Sequence, residues 1–222
     1  MTESMALGVF GLSVPAGTHL CIFFRGSSGV EEIVLPFLAE GIRANDKCLA
    51  ILESRMPSDL LAGLALQIDV GPSVATGQLE LATPAEAYLR SGHFSTQEML
   101  GYWADEAAAT RSGGNFSLTR ATGEMPSVLD QPAGRAEFFR YEAMLNDVIP
   151  KNPQVILCLY DLERFGAEVL MDALRTIPWL SWTAWSTTTR TTWRRISSSA
   201  AGANVRGAAR PDRRRRPPAG RQ

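Results

Sequence analysis

The sequence predicts an α/β fold in which a mostly parallel sheet is flanked by helices. Three observations carry this expectation. Short uncharged apolar runs at 20–24, 48–52 and 155–160 have strand length without polar alternation, as strands buried on both faces of a parallel sheet do. Stretches with apolar residues at helical spacing separate them. Residues 18–41 read as strand, Gly26-Ser27-Ser28-Gly29 turn and helix in direct succession, the opening unit of such a domain.

Taken in order, residues 1–17 form a polar, glycine-containing lead-in with one early apolar segment. The first strand carries His19 and Cys21, two residues apart and so on one face. Ser28, with Glu31 three residues on, makes a capping box for the first helix. Ile33, Val34, Phe37, Leu38 and Ile42 are its inward face, Pro36 predicts a kink, and Gly41 marks its end. A strand at 48–52 precedes a helix opened by Pro57, where a missing N–H is harmless. A short strand follows at 79–81. Ser95 and Glu98 form a second capping box, opening a helix with Leu100, Trp103 and Ala107 on one side. Residues 115–120 are the fourth strand and 122–134 a turn-rich segment. A helix over 137–149 presents Phe138, Tyr141, Leu145 and Val148, and 155–160 (VILCLY) is the clearest strand. The last helix is 167–176. Such a sheet has right-handed crossovers and binds ligands outside the carboxyl ends of its strands. The end near Gly26 and the Tyr160-Asp161 end are therefore expected neighbours around a pocket.

The 222 residues suffice for one sizeable domain. At 45% hydrophobic and 20% charged the composition is that of a soluble globular protein. No run has the length of a membrane span, and the N-terminus lacks the basic region of a signal peptide. Three widely spaced cysteines without CxxC fit reduced thiols in the cytoplasm. Charge is divided unevenly. Residues 177–222 contain ten Arg, no Lys and a single acid, Asp212, together with four of the five Trp. The tail carries +9 and residues 1–176 carry −10.

The turn at Gly26 sits where a phosphate-binding loop would sit, but that loop requires G-x-x-x-x-G-K-[ST]. Here Gly29 is followed by Val30-Glu31-Glu32. The glutamates suit the helix dipole and repel phosphate. Asp161, after an apolar strand, has the position of a metal-binding carboxylate of nucleotide hydrolases, an analogy weakened by the missing loop. His19 and Cys21 are open to three readings: core residues, walls of a ligand pocket, or metal ligands or a thiol with its base. Two donors are too few to argue for a metal, so no cofactor and no metal are assigned. Cys158 and Tyr160 on a second strand repeat the two-residue spacing. Glu124, Tyr141 and Glu142 are further polar groups able to line a pocket, and His93 belongs to a loop.

Several segments together resemble the MEDS family, the sensory domain of methanogen and methylotroph regulators. They are H-L-C-I-F-F at 19–24, E-E-I-V-L-P-F-L-A-E-G-I at 31–42, Y-L-R-S-G-H-F at 88–94 and G-E-M at 123–125. F-R-Y-E-A-M-L-N at 139–146 and C-L-Y-D-L-E-R-F at 158–165 complete the set. The resemblance divides the chain into a lead-in, 1–17, a sensory domain, 18–178, and an Arg-rich tail, 179–222. It implies a RecA-like domain without a working phosphate loop that senses small molecules, simple hydrocarbon derivatives among them. It implies a non-enzymatic role in bacterial signal transduction or transcription regulation. The partner it implies is a histidine kinase-like, anti-sigma or DNA-binding regulator. It points to His19, Cys21, Glu124, Tyr141, Glu142, Cys158, Tyr160 and Asp161 as ligand-binding positions. The alternative left open is an enzyme, either cysteine-dependent or with a degenerate nucleotide site.

The chain departs from the family pattern at Ile177. Family members continue T-H-P, an apolar strand, then N-P-Y-Y. Restoring one cytosine after the Thr176 codon, with codons chosen within their degeneracy, turns T-I-P-W-L-S-W into T-H-P-M-V-I-V and proceeds to D-N-P-Y-Y. A frame change of this kind explains Arg without Lys, the tryptophans and the charge jump. It also predicts a sheet that has lost its last strand, with an exposed edge, and a poorly ordered tail beyond about Ser186. The rival reading of the tail is a basic arm whose run Arg213–Arg216 attracts nucleic-acid phosphates. Direct nucleic-acid binding is not the expectation, because aromatic and basic residues do not interleave on a regular element.

Overall fold

Residues 4–113, 115–130, 132–182 and 194–195 are described in the computed structural model of the chain. Two short strands, β1 (Ser4–Ala6) and β2 (Ser13–Pro15), pair antiparallel. The main sheet then builds from β3 (Thr18–Phe24), β4 (Lys47–Ile51), β5 (Leu79–Ala82), β6 (Thr119–Glu124), β7 (Gln154–Asp161), β8 (Trp179–Trp182) and β9 (Arg194–Arg195). The helices are α1 (Gly26–Arg43), α2 (Pro57–Ala65), α3 (Gly71–Ala75), α4 (Thr96–Gly113), α5 (Pro132–Val148) and α6 (Ala167–Thr176). Strand order is β5-β4-β6-β7-β3-β8-β9, parallel throughout except for the β8–β9 pair. β3 therefore lies inside the sheet, between β7 and β8.

Side chains alternate across this sheet and feed two cores. Leu20, Ile22, Phe24, Cys48, Ala50, Val155, Leu157 and Leu159 face α1, α2 and the segment around the β1–β2 hairpin. Cys21, Phe23, Leu49, Ile51, Ala121, Ile156, Cys158 and Tyr160 face α4, α5 and α6. Every residue of β3 and β4 is buried, which is why their sequences read as continuous apolar runs. Residues 4–17 are less peripheral than a polar lead-in: Leu7, Val9, Leu12 and Val14 are buried in the core under α1.

Several boundaries differ from the expectation. α1 begins at Gly26 rather than after Ser28, with Arg25 at the cap position and no side-chain cap. Gly26 takes φ +62°, a conformation that favours glycine. The helix passes Pro36 uninterrupted and passes Gly41 to end at Arg43. Gly41 serves packing instead of termination. A Cβ there would stand 2.6 Å from both Arg120 Cδ and Cys48 Sγ. Ser95 does cap α4, accepting from the Glu98 N–H at 3.3 Å, and Pro57 is the first residue of α2.

The fourth strand lies four residues later than predicted, over Thr119–Glu124, so the turn-rich segment starts after it. Its burial is polar. Arg120 Nε and Nη2 donate to Asp46 Oδ2 at 3.0 and 2.8 Å, with further bonds to the carbonyls of Leu7 and Ala6. The predicted loss of the last strand is also corrected: Trp179–Trp182 pairs with β3, aligning Leu20 with Trp179 and Phe23 with Trp182. Of the tail beyond Ser186, Arg194–Arg195 is described, as β9; the rest, with the Arg213–Arg216 run, lies outside the described residues.

Candidate functional site

Parallel pairing of β3 with β7 sets Cys21 beside Cys158 and Phe23 beside Tyr160, with His19 one step earlier opposite Ile156. Helix α5 lies over this face. Tyr141, Leu145 and Phe138 anchor the helix in the core. The next residue on its inner side is an acid, Glu142, which is 0% exposed.

Glu142 meets His19 and Cys158 there. His19 Nε2 is 2.9 Å from Glu142 Oε2 and 3.4 Å from Cys158 Sγ. The Cys158 thiol donates to the Glu142 carboxylate at 3.5 and 3.6 Å. The other ring nitrogen, Nδ1, is 2.8 Å from Asn146 Oδ1. Asn146 is held by its own amide, whose Nδ2 donates to the Thr176 carbonyl at 2.8 Å. With the amide so turned, Oδ1 faces the imidazole and Nδ1 carries the hydrogen. The Nε2 side is thereby aimed at Glu142 and Cys158.

Burial pushes the Cys158 thiol well above its ordinary range, and the neighbouring Glu142 charge adds to the shift. Cys21 is raised by the same two causes in the same order. Both sulfurs are held as thiols, the opposite of an activated nucleophile.

Aromatic rings extend the site. Tyr160 is 0% exposed and packs against Phe23 at 5.7 Å, Phe139 at 6.4 Å in parallel, and Phe165 at 6.4 Å. Its hydroxyl has no hydrogen-bond partner among the described residues. Tyr141 contributes its ring, but its hydroxyl accepts from Trp103 Nε1 at 2.6 Å.

Of the eight residues expected in a pocket, His19, Glu142 and Cys158 meet directly, and Cys21, Tyr141 and Tyr160 share their core. Glu124 and Asp161 serve the loops at the carboxyl ends of the strands. Glu124 accepts from the N–H groups of Glu53 and Ser54 at 3.0 and 2.8 Å. Asp161 Oδ1 accepts from Gly26 N at 3.1 Å and Glu163 N at 2.8 Å. The strand ends at Gly26 and Asp161 are neighbours as expected, but the polar cluster lies on the sheet face under α5. An open cleft of about 430 Å³ bounded by Arg90, Glu98, Tyr102 and Asp105 shares no residue with it. His93 lies in an exposed loop. Sequence reasoning missed Asn146 and Phe139. The i, i+4 spacing of Glu142 and Asn146, which puts both on one helix face, was the available signal.

A family model described as the MEthanogen/methylotroph, DcmR Sensory domain (MEDS) matches residues 18–178. The chain belongs to the MEDS family. Among curated proteins, the transcriptional repressor DcmR of Methylorubrum extorquens is 25% identical over 169 residues. That match covers 75% of this chain and 60% of the repressor, so the chain spans less than two thirds of that relative. Two solved structures from Pyrococcus horikoshii share the fold. A KaiC-like protein has TM-score 0.61 at 13% identity, covering 89% of this chain and 90% of its own. An uncharacterized protein solved with an unknown peptide has TM-score 0.62 at 13% identity, covering 87% and 91%. The flagellar accessory protein FlaH of Methanocaldococcus jannaschii gives 0.55 at 11%, covering 84% and 81%. The MEDS chain thus has a RecA-like α/β fold and belongs to a family described as a sensory domain. Among the described residues no helix is long and apolar enough to cross a membrane.

Proposed function

We propose that this MEDS-family chain binds a small molecule between β3, β7 and α5, and that occupancy biases the activity of a partner regulator. The observation that carries the reading is the Tyr160 hydroxyl, buried without a partner among the described residues, beside the buried His19–Glu142–Cys158 cluster. Leaving such a group unpaired costs about 1–3 kcal/mol, a cost that a ligand's polar atom would remove. The surrounding Phe23, Phe139 and Phe165 rings suit the apolar body of a simple hydrocarbon derivative. A ligand acts by binding two conformations unequally. The output lies in a cytoplasmic histidine kinase-like, anti-sigma or DNA-binding partner, a regulatory setting in keeping with the repressor relative.

The role is non-enzymatic. Cys21 and Cys158 are held as thiols by burial. The turn at Gly26 lacks the phosphate-loop lysine, and Asp161 already takes the Gly26 N–H that a phosphate would use. A thermal-shift screen of short-chain alcohols, aldehydes and halogenated hydrocarbons on the purified chain tests the reading. At least one compound is expected to raise the unfolding temperature, with a smaller rise in Tyr160→Phe. A full set without effect, or a shift that Tyr160→Phe and His19→Gln leave unchanged, would overturn it.

A further inference from the structure

We propose that His19 Nε2, Glu142 Oε2 and Cys158 Sγ hold a zinc-class divalent transition ion, with its fourth position open to the sensed molecule. The fourth-position half of this statement rests on the sensing reading above; the ion itself does not.

The donor atoms come from three elements, β3, α5 and β7, and all lie within 4.8 Å of one another. Their separations are 2.9, 3.4 and 3.6 Å. Donors bound at tetrahedral zinc distances stand roughly 3.3–3.8 Å apart. Two of the three edges are already at that spacing. The third, His19 to Glu142, is at hydrogen-bond length and opens slightly when an ion replaces the shared proton.

The donor set has the right chemistry. Imidazole, carboxylate and thiolate are the ligand types of borderline-soft ions. A divalent ion with one thiolate and one carboxylate is neutral overall, which a buried site requires. Binding sends the Cys158 thiol proton and the proton shared by His19 and Glu142 to solvent. The imidazole is also oriented as a ligand: Asn146 Oδ1 takes the Nδ1 hydrogen, and Thr176 fixes the Asn146 amide. Cys21 stands outside the set of mutually close donors, so three protein ligands leave one position vacant on a tetrahedral ion. Tyr160, two residues beyond Cys158 on the same face, supplies a hydroxyl and a ring for whatever occupies it.

The test uses the purified full chain, stripped with chelator and titrated with cobalt(II) chloride. A sulfur-to-cobalt charge-transfer band that saturates at a single ion per chain is expected. Cys158→Ser abolishes the band, whereas Cys48→Ser, on the opposite face of the sheet, retains it. Asn146→Ala keeps the band and weakens affinity by about 10–100-fold. Far-UV circular dichroism reports whether each variant folds; should Cys158→Ser fail to, His19→Gln must weaken affinity at least as much as Asn146→Ala. No saturable band in the wild-type chain, or a band unchanged in Cys158→Ser, overturns the site. A compound that shifts the unfolding temperature equally with and without the ion overturns the open fourth position and leaves the sensing reading standing. An ion whose spectrum is indifferent to such a compound overturns only the open fourth position.

Discussion

Tyr160 concentrates the conflict between stability and function at the scale of one residue. Its hydroxyl is buried against three phenylalanine rings, without a partner among the described residues. Tyr160→Phe is therefore expected to stabilise the ligand-free chain by about 1–2 kcal/mol in denaturant unfolding, while shrinking the ligand-induced thermal shift. A destabilised variant would mean that the hydroxyl is already satisfied in the free protein. The cysteines give a second prediction at this scale. Cys48 is pushed up to about 12, chiefly by burial, and Cys21 and Cys158 are raised by burial and then by Glu142. All three should react with iodoacetamide far more slowly in the native chain than in denaturant at neutral pH. Rapid native modification of Cys158 would favour the cysteine-dependent enzyme instead.

At the scale of elements, β6 holds the sheet together by polar means. Arg120 and Asp46 are 1% and 2% exposed, and their side chains pair 2.8 Å apart. Gly41 on α1 gives the arginine room, and Phe37 lies under its guanidinium at 5.1 Å. The pair ties β6 to the β4 side of the sheet and, through the Leu7 and Ala6 carbonyls, to the N-terminal hairpin. Arg120→Ala leaves a buried carboxylate without its partner and should cost about 3–5 kcal/mol in urea unfolding. A loss below about 1 kcal/mol, the size of an exposed pair, would show that water reaches Asp46.

For the whole molecule, the junction after Thr176 matters most. The family match stops at residue 178, where the charge and tryptophan content change. β8 fills the place beside β3 with Trp-Leu-Ser-Trp. With codons chosen within their degeneracy, the shifted frame can encode Met-Val-Ile-Val at those positions, which suits a strand in a parallel sheet. The Thr176 carbonyl that orients Asn146 is the last group before the change, so the junction borders the network around His19. The coding DNA is expected to read through in the shifted frame. The frame-restored chain is expected to unfold at a higher temperature in a melting scan. DNA that cannot be read this way ends the frame-change idea.

What the sequence determined by itself was the layered fold and the faces of its strands. Uncharged runs at 20–24, 48–52 and 155–160 can be buried only inside a sheet covered on both sides. Two-residue spacing puts His19 with Cys21 and Cys158 with Tyr160 on common faces whatever the topology. The missing loop lysine was equally legible. β6 was not, because Thr119, Arg120, Thr122 and Glu124 are buried polar residues satisfied by distant partners: Thr110, Asp46, the Leu157 carbonyl and the loop after β4. No local pattern signals such a strand. Tertiary structure alone decided that the cluster sits beneath α5, since strand register and helix docking bring His19 to Glu142 across 123 residues and to Cys158 across 139. It also turned Glu124 and Asp161 from pocket candidates into loop anchors, because backbone N–H groups at the strand ends took their carboxylates first.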